Sequence, residues 1–344
     1  MHSSISSSEN SSHDSGGGVR WLAAWTVALC TLLLALGTAE YHWRSRNYVP
    51  TVLDSKLLWS VHRERVYAGL RTPLVLLGAS RIEFGIDLDE MQKLLPRYTP
   101  IMLAIDARYP LATLHDLAED EGFRGDVICD VDSIGLLREL FDMQRDYVHY
   151  FHNQWTPSWR VHRKLLSVWQ LRALIADPAY GAAASVRRWL DGAPEPFHNY
   201  ISFHADRTGY IDFSRADVTA IKRHFADSLE GNLANLPKRT ADDWLADLAP
   251  IREWAKRIEA RGGHVIFFQS PLQGLQQSAI ERVMPRKLYW DRFASSVSIA
   301  LAGVDEPSLY AFPLPDDSHL DYRDKAAYTR ALVEVLVARG WLRR

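Results

Sequence analysis

Short apolar runs separated by longer amphipathic stretches set the rhythm of this chain. Leu74–Leu77, bounded by Pro73 and Gly78, is continuous apolar sequence of strand length, as are Ile101–Ile105 and Val127–Val131. His264–Gln269, closed by Pro271, is a fourth such run. Runs of this kind suit strands buried on both faces. Between them the apolar positions step by three and four. Asp87-x-x-Glu90 reads as an N-cap pair ahead of Leu88, Met91 and Leu95, with Pro96 as the stop. Pro110 opens a helix carrying Leu111, Leu114 and Leu117 that Gly122 ends. Thr240-x-x-Asp243 resembles a capping box, and Trp244, Leu248, Ile251, Ala255 and Ile258 form one face up to Gly262-Gly263. A last helix runs over Lys325–Arg339, before Gly340. Strand alternating with helix predicts an α/β fold with a parallel sheet.

Two regions depart from that rhythm. Residues 1–18 are dominated by Ser, Gly, Asn and His and read as a disordered tail. The tail leads into Trp21–Ala39, which has no charge and is closed by Arg20 and Glu40. A bilayer crossing needs about 20 such residues, so 19–39 reads as a transmembrane anchor. A cleaved signal peptide ending at Gly37-Thr38-Ala39 is the rival reading. Residues 40–72 then form a juxtamembrane connector, helical from Leu53 to Ala68, and 73–344 the α/β domain. The second departure is an insertion over about 135–236, rich in Trp, Tyr, His and Arg, which predicts a helical cap over a site or an interaction surface. There is no internal repeat.

Composition narrows the classes. With 47% hydrophobic residues among 344, the chain can build one large core. It carries 40 basic and 42 acidic residues, a net charge of −2, without a basic run, which argues against nucleic acid as a partner. The two cysteines, Cys30 in the apolar run and Cys129 in a strand, have no C-x-x-C spacing. The 12 Trp and 14 Tyr fit carbohydrate stacking or a large core equally. Trp155, Trp159 and Trp169 could line a glycan groove on the first view.

The chemistry gathers at two distant points. Ser80 lies in Gly78-Ala79-Ser80-Arg81, just past the first strand, where open α/β sheets place their ligands. Asp316 and His319 share the late loop Pro315-Asp316-Asp317-Ser318-His319 with the spacing D-x-x-H. Together they can supply a nucleophile, a base and an acid that orients the base. The plainer readings are a helix N-cap for Ser80 and a polar loop before the last helix for Asp316–His319. A third alternative takes Asp316, His319 and Asp321 as metal ligands.

Gly-Ala-Ser after the first strand together with a late D-x-x-H resembles the SGNH (GDSL-like) hydrolase superfamily, and within it the membrane-anchored branch of DltD-like and alginate-acetylation-type proteins. The likeness spans Leu74 to the C-terminus. It implies a flavodoxin-like, three-layer parallel sheet with a helical insertion. It implies Ser80, His319 and Asp316 as catalytic residues, and neither cofactor nor metal. It further implies an O-acyl (acetyl) transferase or esterase acting on cell-envelope or exported polysaccharide, with a multi-pass membrane O-acyltransferase as partner. The main domain would lie on the periplasmic side of a bacterial inner membrane. Arg44 and Arg46 after the apolar run lean the other way by the positive-inside rule. The superfamily's oxyanion donors are the serine amide, a glycine amide after strand two and an asparagine after strand three. Here Asp106-Ala107-Arg108 and Asp130-Val131-Asp132-Ser133 stand in those places. Ala107 or Arg108 would then give the amide, and Ser133 or Arg81 would replace the asparagine or bind substrate. A noncatalytic binding subunit and a general esterase or lipase are the alternatives that this departure keeps open.

Overall fold

A computed structural model describes residues 15–196, 200–237 and 239–344. The chain forms two compact units, residues 1–48 with 173–196, and residues 49–172 with 197–344. Most of the predicted disordered tail, residues 1–14, lies outside the described residues, and its last four positions are already helical.

In the first unit a single helix, Ser15–Arg44, is long and apolar enough over Arg20–Arg44 to cross a membrane. Its apolar side chains are bare, Leu34 being 72% exposed, and among the described residues none covers them. At the helix end Trp43 packs with Tyr48, Leu174 and Tyr180, and its indole donates to the Tyr180 carbonyl.

The second unit is α/β, built on a five-stranded parallel sheet. Its strands are β1 (Thr72–Leu77), β2 (Tyr98–Met102), β3 (Asp126–Asp130), β6 (Val265–Gln269) and β7 (Ala300–Ala302), in the order β2-β1-β3-β6-β7. β4 (Ile201–Phe203) and β5 (Gly209–Ile211) form a separate antiparallel hairpin. Pleating sends Val75 and Leu77 into a core beneath the Leu111–Glu119 and Ala249–Ala260 helices, and Leu74 and Leu76 into a second core under Leu88–Leu94 and Lys325–Ala338. Both faces are therefore covered, which is why the strands read as unbroken apolar runs. The chain order reverses direction beside β1, so the loops after β1 and β3 open a crevice at the carboxyl edge.

Several elements differ from the sequence reading. The second strand begins at Tyr98 and ends at Met102, three residues earlier at each end than expected. Residues 241–260 form two helices, because Pro250 sits in the first turn of the second one. The segment 49–72 is no mere connector. Its helix Lys56–Glu64 buries Trp59 completely, and the indole donates to the Leu103 carbonyl at 3.0 Å. The insertion is not one cap. Residues 173–196 belong to the first unit, 201–211 form the hairpin, and Val218–Ala234 is the helix that reaches the cleft described below.

The hairpin is fastened under the short helix that follows β1, Ser80–Gly85. A Cβ on Gly209 would stand 2.0 Å from the Phe84 ring, so glycine leaves the room that this ring fills against the hairpin. Arg207 is fully buried between the hairpin and the sheet. It makes two bonds to Asp54 at 2.9 and 2.7 Å, one to the Met102 carbonyl at 3.1 Å, and stands 3.6 Å from Glu83. Burial pushes the Glu83 carboxyl well above its usual range, against the pull of Arg207. Lys325 adds a bond to the Gly209 carbonyl at 2.7 Å, and burial lowers its ammonium to about 8.

Removing one member of such a buried ionic group strands the others and costs about 3–5 kcal/mol. Arg207→Met should therefore lower the unfolding free energy of the detergent-solubilised full chain by that amount, and its denaturation midpoint with it. An unchanged midpoint would mean that Arg207 does not hold the hairpin.

Candidate active site

The turn that carries Ser80 is set by close packing. A Cβ on Gly78 would meet Ile82 at 2.4 Å and Asp130 at 3.0 Å, so the chain leaves β1 only through glycine. The Gly78 carbonyl accepts from the Ile105 amide at 3.1 Å and from the Gln144 side chain at 3.2 Å. Gln144, fully buried, also donates to the Arg108 carbonyl and accepts from Thr113. It clasps the loops after β1 and β2 together. Nothing in the sequence pattern marks it, since a lone glutamine has no periodic or motif signal.

The opposite side is the loop before the last helix. Asp316 is buried, and its Oδ1 accepts from the Ser318 and His319 amides at 3.0 and 2.7 Å. Its Oδ2 lies 2.8 Å from His319 Nδ1. Burial alone would raise this carboxyl, but the bonds from the His319 ring, the His319 amide and the Ser318 amide outweigh it and hold it below the usual range. Asp317 adopts φ 70° and turns its carboxylate outward to Lys222 at 2.7 Å and to the Leu275 amide at 3.2 Å. The loop is thereby pinned at both aspartates. Asp321 points elsewhere, to Arg323 and the Phe213 amide, so it does not join Asp316 and His319 in a metal-like cluster.

These two loops meet. His319 Nε2 lies 2.8 Å from Ser80 Oγ, across a sequence separation of 239. A charged Asp316 can only accept, so Nδ1 carries the ring proton and Nε2 offers its lone pair to the serine hydroxyl. The imidazole is held between two rings, Phe84 at 6.1 Å and Phe225 at 6.0 Å. Phe225, on the Val218–Ala234 helix, was invisible as a site residue because its helix comes from the irregular insertion. Serine, histidine and aspartate thus form one hydrogen-bonded chain along which a proton can move from Oγ to the ring.

A cleft of about 760 Å³ opens over Ser80 and His319. Arg81 and Ala107 line it. Ala107 takes φ 58°, a left-handed conformation in which glycine is the usual residue. Arg108 also lines the cleft, but its amide closes a turn on the Ile105 carbonyl and its guanidinium binds the Met143 carbonyl and Asp146. Its amide and guanidinium are thus engaged within the protein. Ser133 is buried and is not among the residues that line the cleft. In its neighbourhood Asp132 takes a bond from Arg81 Nη2 at 2.6 Å and one from the Gly135 amide at 2.8 Å. Asp130 lies 3.9 Å from Arg81 Nε. Burial works against the Arg81 charge, yet the two carboxylates raise its pKa further above the usual arginine value. The loop after β3 thus presents to the cleft an aspartate paired with Arg81.

Trp155, Trp159 and Trp169 do not line this cleft. Trp155 stacks on Phe151, while Trp159 and Trp169 are 44% and 52% exposed, so they are neither core nor part of a groove at Ser80.

The lowered pKa of Asp316 has a consequence for acid stability. Its contribution is present in full above the ordinary aspartate value and is lost as the pH falls from there through the lowered one. Asp316→Asn should flatten the loss of stability over that acidic range and leave the slope near neutral pH unchanged. Identical acid unfolding curves for the two proteins would show that the carboxylate is not held in this way.

No family model matches this chain, and no curated protein matches it.

Proposed function

We propose that this protein is a membrane-anchored serine O-acyltransferase or esterase of SGNH-like architecture, acting on acyl groups of cell-envelope or exported polysaccharide outside the cytoplasm. The observation that carries the chemistry is the chain Ser80 Oγ–His319 Nε2, His319 Nδ1–Asp316 Oδ2, both links 2.8 Å long. The resemblance carries the substrate class and the side of the membrane. The apolar Arg20–Arg44 helix supports the anchor.

Ser80 Oγ attacks the ester carbonyl carbon while His319 Nε2 takes its proton. The tetrahedral intermediate collapses, and the imidazolium returns that proton to the departing alcohol oxygen. The acyl group is left on Ser80. A sugar hydroxyl or water then attacks the acyl-enzyme, gives its proton to His319, and Ser80 Oγ takes the proton back as it leaves. Asp316 holds the ring in the required tautomer and stabilises the imidazolium. The oxyanion would meet backbone amides at the start of the Ser80–Gly85 helix, whose first N–H groups have no intrahelical partner.

A second reading has one observation in its favour. The residue that follows β3 in the donor position is Asp132, bound to Arg81. Losing one oxyanion donor typically costs about 10²–10³ in rate. A noncatalytic subunit that keeps the fold and binds polysaccharide is therefore the alternative.

Ser80→Ala and His319→Ala should each abolish ester cleavage by the purified full chain and acylation of polysaccharide by cells, to nearly the same extent, because the two act as one unit. Asp316→Asn should retain more activity than either. Full polysaccharide acylation with Ser80→Ala would remove nucleophilic catalysis and leave the binding subunit.

A further inference from the structure

The first unit carries a second bare apolar surface besides its long helix. It lies on the helix Ala182–Asp191, which starts after Gly181 and stops at Gly192, a left-handed residue at φ 61°. At about 100° per residue its side chains fall into three arcs. Ala184, Ser185 and Arg188 make the first, and they are the half-buried ones. Arg188 stands over the Trp43 ring at 5.4 Å and donates to the Ala179 carbonyl at 2.7 Å, so this arc faces the end of the long helix. Arg187 and Asp191 make the second, charged and exposed. The third holds Ala182, Ala183, Val186, Trp189 and Leu190, all exposed, with Trp189 at 80%. Among the described residues none covers it, and it is as bare as the apolar side chains of the long helix itself.

What covers this arc follows from where its unit is fixed. The uncharged stretch Trp21–Ala39 is roughly 28 Å long at 1.5 Å per residue, against about 30 Å for a hydrocarbon core. With that stretch in a bilayer, residues 40–48 stand at headgroup level. The segment that bears the short helix is tied to this level on both sides of it. Ahead of the helix, Glu40 accepts from the Leu174 and Ile175 amides at 3.1 and 3.2 Å, and the Trp43 indole donates to the Tyr180 carbonyl at 3.0 Å. Beyond it, the Tyr48 hydroxyl donates to the Pro196 carbonyl at 2.5 Å. A helix with Trp and Leu on one arc and arginine beside them suits the boundary between headgroups and acyl chains. We propose, resting on the reading of Arg20–Arg44 as the membrane anchor, that Ala182–Asp191 lies in the plane of that same bilayer with Val186, Trp189 and Leu190 immersed in it. Charge does not drive the contact, because residues 40–48 and 173–196 hold four arginines against four carboxylates. The occupant is the apolar part of the lipid, not an anionic headgroup. This second contact, off the axis of the anchor, resists its rotation and its sliding through the membrane.

The test is nitroxide labelling of the full chain in phosphatidylcholine vesicles, read as accessibility to oxygen, which concentrates in lipid, and to a water-soluble nickel chelate. Cys129 is buried, so Cys30→Ala gives a background without a reactive thiol. Single cysteines are then placed as Val186→Cys, Trp189→Cys and Leu190→Cys on the apolar arc, and as Arg187→Cys and Asp191→Cys on the charged one. The ratio of oxygen to nickel accessibility should be several times larger on the apolar arc than on the charged arc, and adding anionic lipid should leave that pattern unchanged. A label on the native Cys30, exposed on the long helix, reports the anchor separately and should be open to oxygen and closed to nickel. Nickel access at all five positions, with Cys30 still shielded from it, overturns this inference and leaves the anchor intact. Shielding of the apolar arc from both reagents overturns it too, because a protein surface would then be the occupant. An oxygen-rich arc that appears only with anionic lipid overturns the apolar assignment. Nickel access at Cys30 overturns the anchor and this inference with it. The positions are exposed and read one by one, so a variant that fails to fold leaves the comparison of the two arcs to the others.

Discussion

A serine hydroxyl is a poor nucleophile until a base lies within hydrogen-bond reach, and here that base is 239 positions away. No local structure can meet that demand. A parallel sheet can, because every strand delivers its following loop to the same edge. β1 brings Ser80 there, β2 and β3 bring Ala107 and Asp132, β6 brings Leu272, and the loop that enters the last helix brings His319. The rest of the second unit can be understood as what keeps those loops in register at the scale of tenths of an ångström. Gln144 ties the β1 loop to the β2 loop, Asp316 and Asp317 pin the histidine loop, and Arg207 anchors the hairpin beneath the serine helix.

The electrostatics of the site follow from where carboxylates are paired. Asp316 is buried but has three N–H partners, so it stays charged and orients the ring. Glu83 is buried beside Arg207, whose guanidinium Asp54 already occupies, and burial pushes it toward the neutral form. Asp132 and Asp130 face Arg81, which neutralises them and in turn is kept from acting as a free cation in the cleft. Three pairs of similar composition thus play different parts, and burial with partner count explains the difference.

Much of this was legible in the sequence. The apolar runs gave β1, β3 and β6 because strands covered on both faces cannot alternate. Asp87 and Thr240 act as the N-caps their spacing suggests, accepting from Glu90 and Asp243. Ser80, Asp316 and His319 stand out in the sequence because order and topology constrain them jointly, and the fold brings them into hydrogen-bond contact. What escaped notice lacks a local signal. β7 is three residues long at the sheet edge, too short for any period. The β4–β5 hairpin turns on Arg207, whose burial is determined by Asp54 and Met102, distant in sequence. Phe225 and Gln144 gain their roles only from tertiary contact. Pro250 opens a second helix within 241–260, although the apolar face continues in phase across the junction.

The central claim is that Ser80 is an activated nucleophile. Its most direct test is reaction of the full chain with a serine-directed fluorophosphonate, followed by mapping of the modified peptide by mass spectrometry. The account predicts a single adduct, on the peptide that contains Ser80, and loss of that adduct in His319→Ala. An unmodified Ser80 peptide under conditions that label a control serine esterase, or undiminished labelling in His319→Ala, would contradict it.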